Sequence, residues 1–184
     1  IVARRTDGED AEAAVRKAGG GGVYAVDLTI RCSVEEVQPT EAFPVPFRLL
    51  SFDLETSIAD NSILCGAAVI EDLGTGAREV HSWRDDEAAL LEGLTELILD
   101  RDPDIITGYN IDNFDIPRIA ERVEALGGRK DADRRLAMFG WGRTPQDASD
   151  LRRHRESVVP KRASTRAWTL GGRCVMDAWW QARM

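Results

Sequence analysis

Residues 47–56, FRLLSFDLET, run apolar for most of their length and then place Asp53 and Glu55 two positions apart. A mostly apolar run of this length fits a strand buried inside a sheet, which needs neighbours on either side. Side chains alternate along a strand, so Asp53 and Glu55 project to the same side. Two carboxylates held that close repel each other unless a metal, an arginine or water lies between them.

The segments downstream supply the neighbours. ILCGAAVIED and AREVHSW read as a second and third strand, joined through the turn LGTG at 73–76. DEAALLEGLTELILDRD carries apolar residues at 90, 91, 94, 97 and 98, the spacing of an amphipathic helix, with Asp85 or Asp86 as its N-cap. PDIITGYN is a short strand, and FDIPRIAERVEALGG a helix closed by Gly127 and Gly128. Residues 129–168 read as a long polar excursion, and RCVMD as a last strand leading into AWWQAR. Three hairpin-connected strands followed by helix, strand, helix and strand predict an α/β fold, a mixed sheet flanked by helices in a ribonuclease-H-like layout. The first strand is central in such a sheet, and ligands commonly bind where its C-terminal end opens.

Upstream, residues 1–22 are polar and Ala/Gly-rich and end in AGGGG, a flexible turn or linker. VYAVDLTIRCSVEEVQ alternates well enough for a strand or two, and PTEAFPVP, with prolines at 39, 44 and 46, is an extended connector. The main domain is thus expected over 47–184, with 1–46 outside it. The chain opens on Ile1 and stops within DAWWQARM, and reads as a piece of something longer. No run approaches the length of a membrane span. Cys32, Cys65 and Cys174 form no C-x-x-C pair, so free thiols in a reducing compartment are expected. The net charge of −8, from 32 acidic and 24 basic residues, argues against a general nucleic-acid binder.

Two places carry chemistry. One is Asp53 and Glu55; the other is GYNIDNFD, residues 108–115, between the later strand and its helix. If those two strands are neighbours, Asp115 arrives beside Asp53 and Glu55. Three converging carboxylates make an all-oxygen site suited to Mg²⁺ or Mn²⁺. Two such ions about 3.5–4 Å apart can activate a water and stabilise a leaving oxygen in phosphodiester hydrolysis. Taken singly, D-x-E also fits a solvated strand end, and Asn113 and Asp115 also suit a helix start. It is their joint occurrence, in this order on these elements, that is specific.

FRLLSFDLET resembles the first exonuclease motif, D-x-E, of family B DNA polymerases, and ITGYNIDNFDIPRIAER resembles their second, N-x-x-x-F-D. GGRCVMDAWW is similar to a later strand of the same domain, and AFPVPFRLL to the passage out of those enzymes' N-terminal domain. An archaeal source fits the resemblance, which runs from about residue 40 to 184 and leaves the first residues as the end of an N-terminal domain. It implies a 3′→5′ proofreading exonuclease acting on single-stranded DNA 3′ ends. The partner would be the polymerase body, and the setting a cytoplasmic, nucleoid-associated one.

Carried over position by position, Asp53 would bind both metal ions, Glu55 would help hold one ion and the attacking water, and Asp115 would bind the second. Asn110 and Phe114 would place the terminal nucleotides, although Phe114 equally suits a core position. The family's fourth acid lies in a Y-x-x-x-D motif. Tyr24 and Tyr109 are the only tyrosines, and Leu28 and Asn113 stand four residues on. The piece is therefore expected to stop short of a complete site and to turn over little by itself. Asp177 reads as a strand-end or helix-capping acid. Arg152, Arg153, Lys161 and Arg162 lie in the one basic stretch, either a solvated loop or a rim for DNA phosphates. Trp141, Trp168, Trp179 and Trp180 read as packing residues. The competing readings are a non-catalytic module that binds single-stranded DNA and a stand-alone ribonuclease-H-like nuclease.

Overall fold

The computed structural model describes residues 33–36, 39, 41, 45–84, 86–143, 152–159 and 163–182. The chain divides into two units, Ile1–Pro44 and Val45–Met184. In the first, Val34–Glu36 forms one 3₁₀ turn. A strand or two is expected over 23–38, and the turn at 34–36 corrects that reading there, while 23–32, 37 and 38 lie outside the described residues.

The second unit is built on a five-stranded mixed sheet. Strands β1 (Arg48–Thr56), β2 (Ile63–Asp72) and β3 (Arg78–Trp83) form an antiparallel meander. Helix α1 (Glu87–Arg101) leads to β4 (Ile105–Gly108), which pairs parallel to β1 through Leu49↔Ile105 to Ser51↔Thr107. Helix α2 (Asp115–Val123) runs on through a π-helical turn, Glu124–Gly128, to α3 (Ala132–Phe139). A separate antiparallel hairpin, β5 (Arg152–Val159) and β6 (Ala163–Thr169), precedes β7 (Cys174–Asp177) and the single turn α4 (Ala178–Gln181). The sheet order β3-β2-β1-β4-β7 puts the apolar first strand in the middle, the mixed sheet expected of a ribonuclease-H-like layout.

Physical causes for these elements are local. Asp86 caps α1 by accepting from the N–H groups of Ala88 and Ala89, and Leu90, Leu91, Leu94, Leu97 and Ile98 form its buried stripe. Gly127, at φ 108°, breaks the helical path after α2 as its position in the sequence suggests. Leu50, Phe52 and Leu54 of β1 share one buried face, while Asp53 and Glu55 are exposed.

The excursion expected over 129–168 contains ordered structure. Asp131 caps α3 by accepting from Arg134 N–H. The helix then delivers Met138 and Phe139, followed by Trp141, into the core. Its sequence, ADRRLAMF, has its buried pair at one end only, too little for a periodicity signal.

Gly108 ends β4 where the chain must turn close under β1. A Cβ there would sit 2.4 Å from Ile111 Cγ2 and 2.5 Å from the Phe52 carbonyl oxygen. The second contact is backbone and cannot rotate away. Gly108→Ala is expected to lower stability by about 1–3 kcal/mol, measured by urea unfolding. A loss under half a kcal/mol would show that the two strands have room to part.

Candidate active site

Because β4 ends at Gly108, the N–H of Leu54 lies three residues past the last β1–β4 pair and has no strand partner there. Asp115 Oδ1 takes it, at 3.2 Å. That bond brings the second acidic segment onto the strand end that carries Asp53 and Glu55. Asp115 serves in both of the ways read from the sequence. It is the first residue of α2 and an acid in its first turn, with Phe114 at the N-cap position making no side-chain cap bond, and its carboxylate also reaches β1.

Asp115 is buried, at 2% exposure, whereas Asp53 and Glu55 are exposed. Burial, then the charge of Asp53, and to a lesser degree that of Asp177, push the Asp115 carboxyl up to about 6. The side chains do not close into a ligand set. Among the described residues, no three of His, Cys, Asp and Glu stand close enough together to hold a metal ion.

The loop from Gly108 to Asp115 is held from within and from outside. Asn110 adopts a left-handed conformation, φ 63°, and its carbonyl accepts from the N–H groups of Asn113 and Phe114. Its side-chain Oδ1 accepts from Asn113 Nδ2 at 3.0 Å. Phe114 is 41% exposed, so it is not the core residue that one sequence reading allowed, and the Arg118 guanidinium lies 6.0 Å from its ring centroid. Asp177 is buried and accepts from Trp179 N–H, the capping role read from sequence. It also accepts from the N–H groups of Asn110 and Asp112, which sequence reasoning missed. Trp168 is partly buried and donates its indole N–H to the Asp112 carbonyl at 3.0 Å, while Trp141 is fully buried. Arg152 and Arg153 lie on β5, with only their backbone described, and Lys161 and Arg162 fall outside the described residues.

The raised Asp115 carboxyl makes stability depend on pH. Its folded value, about 6, exceeds its ordinary value of 3.8, so between these the folded chain keeps a proton that the unfolded chain has released. Its contribution to stability therefore falls as pH rises through that window, and the penalty is complete above it. Asp115→Asn removes the charge and keeps an oxygen for Leu54 N–H. Relative to the parent chain, the variant should gain roughly 1–3 kcal/mol between pH 4 and pH 7.5. Urea unfolding across that range checks this, and a difference that stays flat with pH would contradict it.

The family model for the DNA polymerase family B exonuclease domain matches residues 58–179, a span that includes the 108–115 loop and begins after Asp53 and Glu55. The chain is 52% identical over 48 residues to the DNA polymerase delta catalytic subunit of Plasmodium falciparum, covering 26% of this chain and 4% of that protein. It is 31% identical over 105 residues to DNA polymerase 2 of Aeropyrum pernix, covering 50% of this chain and 13% of the relative. A solved family B DNA polymerase from Pyrobaculum calidifontis is similar at 26% identity and TM-score 0.48, over 76% of this chain and 16% of that one. The chain thus spans a small fraction of the length of these relatives.

Proposed function

We propose that this chain, which belongs to the exonuclease domains of family B DNA polymerases, serves within a longer polymerase to remove nucleotides from the 3′ ends of single-stranded DNA by divalent-metal-dependent phosphodiester hydrolysis, and turns over little by itself. The observation that carries the reading is Asp115: a buried carboxylate bonded to the β1 backbone between Asp53 and Glu55, with its ionisation opposed by Asp53. A site so arranged is short of positive charge, and its donors are hard oxygens that suit Mg²⁺ or Mn²⁺. Asp53 and Glu55 are exposed, so their rotamers can follow a cation.

Asp53, Glu55 and Asp115 would hold the metal. When bound, it supplies an activated water and charge at the leaving oxygen. The remaining work falls to side chains around the loop. Asn110 orients the terminal nucleotide, and the exposed Phe114 ring takes a base by stacking, worth about 1–3 kcal/mol per base. Arg152, Arg153, Lys161 and Arg162 meet phosphates further along the strand, which would make binding weaken with salt. The polymerase body as partner and a cytoplasmic, nucleoid-associated setting belong to the same reading. Among the described residues, no helix is long and apolar enough to cross a membrane.

The test is shortening of a 5′-labelled single strand by a polymerase that carries the chain, with and without Mg²⁺ or Mn²⁺. Degradation that needs added metal and disappears in Asp53→Ala supports the reading. Salt-dependent binding with no metal-dependent shortening, in a complete polymerase carrying the chain, would favour a non-catalytic DNA-binding module.

A further inference from the structure

β7 pairs parallel with β4 so that Asp177, the last residue of β7, stands in register with Gly108, the last of β4. That register delivers the Asp177 carboxylate to the loop that begins one residue later. Its Oδ1 accepts from Asn110 N–H at 2.7 Å and from Trp179 N–H at 2.9 Å, and its Oδ2 accepts from Asp112 N–H at 3.1 Å. Asp177 is 5% exposed and Asp112 is 4% exposed, so water is a poor substitute for these bonds.

A carboxylate needed only to end β7 and start a four-residue turn would be satisfied by the Trp179 contact. The other two bonds reach back more than sixty residues in sequence, to the loop between β4 and α2. They meet the loop where it is conformationally costly. Asn110 takes φ 63°, a region that non-glycine residues seldom occupy. Residue 112 is gripped on both sides, its N–H by Asp177 and its carbonyl by the Trp168 indole. The Asn110 carbonyl, in the chain between the two held N–H groups, accepts from Asn113 and Phe114, and α2 then starts with Asp115 facing Leu54.

We propose that Asp177 is a positioning residue of the exonuclease site. By holding the N–H groups of Asn110 and Asp112, it fixes the left-handed turn that aims Asn110 at the DNA end and sets the phase of α2 that carries Asp115. The functional half of this rests on the reading of the loop as the DNA-end site; the structural half does not.

The experiment compares Asp177→Asn, Asp177→Ala, Asn110→Ala and the Asp177→Asn/Asn110→Ala double variant in the 184-residue chain. Amide hydrogen exchange is read by NMR, and binding of a single-stranded oligonucleotide by fluorescence anisotropy in EDTA. An asparagine can accept through one oxygen only, so Asp177→Asn should lose one part of the clamp and Asp177→Ala all of it. Exchange at Asn110 and Asp112 should rise about tenfold or more, while the α1 core amides of Leu90 and Leu91 stay protected. Each single variant should weaken DNA binding about tenfold, and the double variant no more than the worse single one.

Unchanged exchange at both loop amides would overturn the proposal, as would affinity losses that simply add. Loss of the folded spectrum in both Asp177 variants would also overturn it, in favour of a fold-wide structural role. If loop exchange rises while Asn110→Ala binds DNA normally, the positioning role stands and the DNA-end reading fails.

Discussion

In a polymerase that carries this chain, Asp53→Ala is expected to slow Mg²⁺-dependent release of the 3′-terminal nucleotide at least about a thousandfold, roughly 4 kcal/mol of barrier. The size follows from what an exposed carboxylate can lose. Asp53 is exposed and its charge opposes the ionisation of Asp115, so its removal should not lower stability. Any large effect on rate is therefore an effect on the site. Asp115→Ala should be as slow, because groups that hold one set of ions act as a unit and their losses do not add. The Asp53→Ala/Asp115→Ala double variant should be little worse than either. EDTA should abolish the parent activity, and Mn²⁺ should restore it. Single-turnover degradation of a labelled strand measures all of these, and activity within tenfold of the parent in Asp53→Ala would sink the two-metal reading.

How much of this fold is legible in the sequence depends on the range of the interactions. From Phe47 to Gly128 the elements follow from local pattern: an apolar strand, alternating neighbours, a leucine stripe with Asp86 ahead of it, and a glycine break. The proximity of Asp115 to Asp53 was conditional on β1 and β4 being neighbours, and their parallel pairing fulfils that condition. What no pattern announced was the means, a side chain completing the hydrogen bonding of a strand whose partner has ended. Asp177 was legible as a cap because Trp179 is two residues away. Its hold on Asn110 and Asp112 was not, since backbone N–H groups leave no mark in a sequence. The order in 129–168 leaves no periodic signal for another reason, since α3 buries only its last residues and the β5 sequence, RRHRESVV, opens on arginines with no alternating pattern.

Trp141→Ala should be the most destabilising single substitution in the described core, at about 3–5 kcal/mol in urea unfolding. Trp141 is fully buried and sits edge-on to two rings, Phe52 at 5.5 Å and Phe139 at 4.9 Å between centroids. Its indole N–H donates to Thr95 Oγ1 on α1 at 3.0 Å, and its carbonyl accepts from Arg173 Nε at 2.7 Å. One side chain therefore joins the central strand, α1 and the end of α3, while its backbone secures the start of β7. Truncation removes both ring contacts and leaves the buried Thr95 hydroxyl without that donor, whereas the Arg173 bond to the backbone survives. Trp141→Phe keeps a ring and loses the donor, so its cost should be smaller, about 1–3 kcal/mol. In a Thr95→Val background that polar share should vanish, leaving only the volume lost. The consequence reaches the site, because Phe52 is the residue before Asp53 and its ring anchors that end of β1 from below. Trp141→Ala should thus loosen Leu54 N–H, seen as faster amide exchange there. A cost under about 1.5 kcal/mol with Leu54 still protected would mean that the sheet end is held by β2 and Asp115 alone.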